Sequence, residues 1–211
     1  NTAVESVYEA FHRVHPGCLT AAIHAPFGRG ATHAFLEGRN LCDRTRVKLL
    51  TAEFAADMNP RWQNEHQSVA SESLLDTRGM AQVAELLSRG DLPAPLFVYH
   101  ELAVTDGAGH EYGPHSDGVA AALAETDRRI GRVLGLLDAR GLFEGTLFVV
   151  SADHGMAPQD AVLRANPTAH VLAAGLAAIV AEPVIWLLDL AVEAERASDG
   201  RTGRVIVYDN D

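Results

Sequence analysis

Apolar and polar positions alternate along this chain in blocks that read as helix and strand in turn, with no internal repeat and no low-complexity tract. Val4, Val7, Tyr8 and Phe11 recur at helical spacing, which predicts a first helix capped by Asn1 or Thr2. "HPG" breaks it, and "CLTAAIHA" then predicts a short buried strand ended by Pro26. Residues 27–72 are more polar and are expected to be an irregular surface excursion, with "RTRVKLLTAEFAADM" the helical part of it. A helix over about Leu75–Ser88 leads into the apolar strand "LFVYHELAV".

The polar stretch "TDGAGHEYGPHSD" (105–117) follows that strand and reads as a glycine-softened loop carrying Asp106 and His110. Ser116 then caps a long helix reaching about Arg140, with Val119, Leu123, Ile130, Leu134 and Leu137 as its apolar stripe and Gly141 as its stop. "TLFVVSA" follows as a second apolar strand and ends at Asp153 and His154. Two apolar strands joined by one long helix describe a βαβ unit with parallel strands. Both strands then deliver polar residues at their C-terminal ends, the edge where open α/β sheets bind ligands. The fold class expected is therefore α/β, a mainly parallel sheet flanked by helices. The tail from Glu182 reads as strand, D-G turn and strand, a C-terminal β-hairpin.

Composition changes this picture only at its margins. With 211 residues, 47% hydrophobic and 21% charged, the chain suits a single α/β domain over 1–211. A formal net charge of −11 disfavours a nucleic-acid polymer as partner. Two cysteines, Cys18 and Cys42, make no disulfide framework. No apolar run approaches the roughly 20 residues of a membrane span, and no signal-peptide pattern is read, so no membrane partner is expected and the cytoplasm is slightly favoured.

The candidate chemistry lies in the two Asp/His pairs. Carboxylates neutralise a cation and imidazoles favour zinc-like metals over magnesium or calcium, so Asp106, His110, Asp153 and His154 are expected to hold one ion or to bridge two. The stretches that carry them, "TDGAGHEYGPHS" and "FVVSADHGM", resemble the type I phosphodiesterase/nucleotide pyrophosphatase family of the alkaline phosphatase superfamily, across roughly residues 95–158. The resemblance implies an alkaline-phosphatase-like fold and hydrolysis of phosphodiester or pyrophosphate bonds at two divalent ions, most often zinc. It implies that Asp106 and His110 serve one ion and Asp153 and His154 the other. It also implies a transiently phosphorylated Thr or Ser and a further metal-binding Asp on an early strand, and a late His in an H-G context.

Those last features have no match here, so the nucleophile is expected outside this chain, which reads as the C-terminal portion of such a catalytic domain. Asp43 and Thr45 in "LCDRTR" lack a preceding apolar strand, and His170 lacks a following Gly. His115 is a candidate substrate-binding residue. His100 reads as a satisfied core residue, and Asp127, inside the expected apolar stripe, as one that needs a partner. Two readings stay open: a metal-dependent hydrolase of a small phosphoester, or a metal-binding but catalytically silent fragment or pseudoenzyme acting through interaction.

Overall fold

A computed structural model describes residues 4–64 and 67–158, and the backbone pairing of 180–181 with 184–185. The chain divides into two compact units, Asn1–Ala157 and Pro158–Asp211. In the first unit a three-stranded parallel sheet has the order β2-β1-β3, with β1 Thr20–Ile23, β2 His33–Ala34 and β3 Phe97–His100. Ala21 and Ala22 of β1 face His33 and Ala34, and Thr20 to Ile23 run beside Phe97 to His100. The α/β class is as the sequence predicts.

Alternation along β1 gives the sheet two buried faces. Ala21 and Ile23 point into a core with Val83, Leu86 and Leu87 of α3 (Gln67–Ser88) and Leu137 of α5 (Asp117–Ala139). Ala22 points the other way, into a cluster with Tyr8 of α1 (Val7–Val14), Ala25, Ala31 and Ala34. There Phe97 of β3 meets Tyr8 edge-on at 5.5 Å and stacks on Phe11 at 4.8 Å, contacts that fix α1 over the sheet. α2 (Arg44–Phe54) packs beside α3 through Phe54, Met80, Ala81 and Ala84.

Several local expectations change. The first helix starts later: Ser6 caps it, its hydroxyl accepting the Glu9 N–H while the Glu9 carboxylate accepts the Ser6 N–H at 2.7 Å. This capping box leaves Val4 and Val7 exposed. Asp43 is the cap of α2, accepting from the Thr45 and Arg46 N–H groups, and so serves a helix end. The stretch "VTDGAGHEY" is helix, α4 (Val104–Tyr112), where a loop was expected.

The largest difference concerns "TLFVVSA". The sequence pattern predicts a strand, but among the described residues 146–152 join no ladder, and Leu147, Val149 and Val150 are exposed. β3 pairs with β1 on one side, and its other edge has no partner among the described residues. In the second unit, Val180–Ala181 pairs antiparallel with Val184–Ile185. The strands of the expected C-terminal hairpin lie largely outside the described residues, and His170 lies wholly outside them.

Candidate functional site

α4 leaves the C-terminal end of β3 after three residues and carries Asp106 and His110 one turn apart on the same face. His110 Nε2 stands 3.5 Å from Asp106 Oδ2, and both side chains are about half exposed. Two glycines let other segments press on this helix. A Cβ on Gly107 would fall onto the Glu72 carboxylate of α3, and one on Gly109 would stand 2.6 Å from Met156 Sδ. Met156 thereby seats the "DHGM" segment against α4, and His154 Nε2 reaches to 3.8 Å from Asp106 Oδ1. The same nitrogen is 3.8 Å from Asp153 Oδ2. Asp106 thus lies between the two imidazoles, and all four residues singled out in the sequence come together.

The Gly155 carbonyl orients the His154 ring. Its Nδ1–H donates to the Gly155 carbonyl at 3.0 Å, so Nε2, the nitrogen that faces the Asp106 and Asp153 carboxylates, is the one left to take up a proton or a cation. That hydrogen bond, with Asp153 and Asp106 nearby, raises its pKa above the ordinary histidine value. Burial, aided by Asp106 and Asp76, raises the Glu72 carboxyl against the opposing pull of His110. Burial also raises Glu101, with Asp153 adding to the effect. Among the described residues no group of three or more His, Cys, Asp or Glu side chains is placed to hold a metal ion. His115 sits exposed in the turn between α4 and α5, apart from this cluster's contacts.

A buried polar network behind α4 was not read from the sequence. Asp76 of α3 accepts the Ala103 and Val104 N–H groups at 2.8 and 3.0 Å, and Arg129 of α5 donates to it at 3.1 Å. Arg129 also pairs with Glu125 at 2.5 Å, and Glu125 accepts from Trp62 Nε1 at 2.7 Å, Asn59 N at 2.9 Å and the Ser73 hydroxyl. The buried face of α5 therefore carries Glu125 and Arg129, while Leu123 and Asp127 of the expected stripe are exposed. The spacing of Ala122, Glu125 and Arg129 was the available signal: an i,i+4 acid–base pair in register with a small apolar residue.

The ends of β1 and β3 hold a second feature. His24 adopts a left-handed backbone conformation, φ 52°, just past β1, and its ring lies edge-on to His100. His24 Nδ1 and His100 Nε2 are buried without hydrogen-bond partners among the described residues. His100 is therefore not the satisfied core residue expected. Burial pushes the pKa of His24 down to about 4 and that of His100 down to about 3, with Arg78 acting on the first and His24 and Arg129 on the second.

Venom phosphodiesterase 2 of Crotalus adamanteus and venom phosphodiesterase of Macrovipera lebetinus are each 37% identical to the chain over 79 residues. Those matches span 36% of this chain and only 10% and 9% of the two relatives. No solved structure matches the chain significantly. The family model for type I phosphodiesterase / nucleotide pyrophosphatase matches residues 19–206, which takes in every strand of the sheet, both Asp/His pairs and the network behind them. On that match over most of its length, the chain belongs to the type I phosphodiesterase / nucleotide pyrophosphatase family.

Proposed function

We propose that this chain forms the metal-binding part of a phosphoester hydrolase acting on phosphodiester or pyrophosphate bonds. The observation that carries the reading is the position of Asp106 between the imidazoles of His110 and His154, with Asp153 beside the latter. Two carboxylates and two imidazoles fit zinc-class ions in kind, and Asp106/His110 would hold one ion and Asp153/His154 the other. When bound, such ions supply charge neutralisation at the phosphoryl oxygens and polarisation of the phosphorus centre. The chain's own residues act on placement. Gly155 fixes the His154 tautomer, Met156 on Gly109 holds the two segments together, and the half-exposed donors leave a face open to a small substrate. The net charge of −11 favours a small phosphoester over a nucleic-acid polymer.

The attacking hydroxyl comes, in this reading, from a segment outside the sequence. Thr105, next to Asp106, is engaged with the Thr126 hydroxyl at 3.2 Å. Among the described residues the outer edge of β3 has no strand partner and the apolar residues 147–150 are exposed, which supports a further strand joining the sheet. No observation favours the catalytically silent alternative.

Zinc titration of the 211-residue chain tests the metal centre: saturable binding is expected, and loss of it in a His110→Ala/His154→Ala double variant. The same chain is expected to hydrolyse bis-p-nitrophenyl phosphate little or not at all, because removing a nucleophile costs several orders of magnitude in rate. A chain extended to include an early strand with Asp and Thr or Ser is expected to be active, and His154→Ala in it to abolish turnover. Robust hydrolysis by the short chain, or zinc binding indifferent to the double substitution, refutes the reading.

A further inference from the structure

A helix start needs acceptors for its first N–H groups, and in this chain they usually come from the residue just before the helix. Ser6 caps α1, Asp43 caps α2 and Ser116 caps α5. α4 is built differently. Ala103 precedes it and offers no side-chain acceptor. The acceptors are the two oxygens of Asp76, reached across 27 and 28 residues from α3. Asp76 is itself buried and gripped by Arg129, whose side chain is 6% exposed against 0% for Asp76. Ser73, about one turn before Asp76 on α3, and Thr77, the residue after it, also accept from Arg129, at 2.7 Å through the Ser73 carbonyl and 3.2 Å through the Thr77 hydroxyl.

A cap that arrives from another helix fixes orientation as well as satisfying the backbone. Asp106 lies two residues beyond the capped Val104 N–H, and His110 one turn further. A tilt of the first turn of α4 therefore moves both donors together relative to His154, which is held from the other side by Met156 and Gly155. The Glu72 carboxylate lying on Gly107 resists rotation of the same turn.

We propose that Asp76 is a positioning residue for the Asp106/His110 pair, its buried carboxylate setting the direction in which both donors project. This inference rests on the metal-centre reading above and goes beyond it by naming a residue that would touch neither metal nor substrate. Residues that orient metal ligands from behind characteristically change affinity by about 10–100-fold when replaced.

The test is zinc titration by calorimetry on the full chain, comparing the unsubstituted protein with Asp76→Asn, Asp76→Glu and Ser6→Ala. Ser6→Ala removes the cap of α1, away from the site, and serves as the control for loss of a helix cap in general. Zinc affinity is expected to fall about 10-fold or more in Asp76→Asn. Asp76→Glu, which keeps the charge but displaces the oxygens, is expected to weaken binding as well, and it carries the test if the Asn variant does not fold. Ser6→Ala is expected to bind zinc as the unsubstituted chain does. Unchanged affinity in the folded Asp76 variants, or equal weakening in Ser6→Ala, overturns the inference while leaving the metal centre standing. Absence of saturable zinc binding by the unsubstituted chain overturns the metal reading and this inference with it.

Discussion

Acidification probes the His24–His100 pair directly. Both imidazoles sit at the strand ends with a ring nitrogen buried and without a hydrogen-bond partner among the described residues, and burial lowers their pKa from 6.5 to about 4 and about 3. In the unfolded chain each takes a proton near its ordinary value, so below that point the unfolded state binds more protons than the folded one. The stability that rests on their neutrality is whole above the unfolded value and is lost progressively as pH falls toward the folded values. Between about pH 7 and about pH 5 the linkage relation gives each such group at most about 2 kcal/mol. His24 is only partly buried, so solvent screening cuts its share, and about 2–3 kcal/mol is expected for the pair. Asp76 acts in the opposite sense. Burial raises it to about 6, so the folded state takes up a proton there that the unfolded chain releases, and stability gains as pH falls through that window. A comparison that holds Asp76 constant is therefore needed. Urea unfolding at both pH values, followed by circular dichroism, is expected to show His100→Gln losing about 2 kcal/mol less than the unsubstituted chain on acidification. Parallel losses in the two proteins would refute the assignment of acid sensitivity to this pair.

Three further outcomes are expected. Gly107→Ala gains about 1 kcal/mol of helix propensity but drives a Cβ into the Glu72 carboxylate, so a net loss of about 1–2 kcal/mol is expected by urea unfolding. Glu125→Ala removes the acceptor shared by Trp62, Asn59 and Ser73 and leaves Arg129 partly unpaired in the interior, with an expected loss of about 3–5 kcal/mol in the same measurement. Cys42 is buried, with its thiol pushed up to about 12 by burial and Glu85, so Ellman's reagent is expected to modify the partly exposed Cys18 first and Cys42 only on unfolding.

Much of the architecture was legible because local chemistry and fold agree. Ser116 before an apolar-periodic run and Gly141 after it gave α5 its ends, and Gly141 takes the left-handed conformation, φ 65°, that such a stop uses. "GAGH" misled because two glycines within five residues usually mark a loop. Here they admit Glu72 on one side and Met156 on the other, and contacts between distant segments leave no trace in local spacing. The two Asp/His pairs were legible as donor types, and the structure brings them together. Asp76 was not, since its role depends on reaching the start of a helix 27 residues away. "TLFVVSA" shows the complementary limit. Its pattern states that it suits a strand buried on both faces, but a ladder needs a second chain segment, which the pattern does not supply.

The exposed apolar run at residues 147–150 bears on how the molecule behaves in bulk. Among the described residues the outer edge of β3 has no strand partner and the four consecutive apolar residues 147–150 join no ladder, with Leu147 89% exposed; such backbone is a template for pairing between copies. No proline or charged residue interrupts 146–152, so the usual guards against fibrillar stacking are missing from that stretch. Turbidity of the 211-residue chain should therefore rise with concentration despite a net charge of −11, and a single Val149→Lys substitution should suppress it.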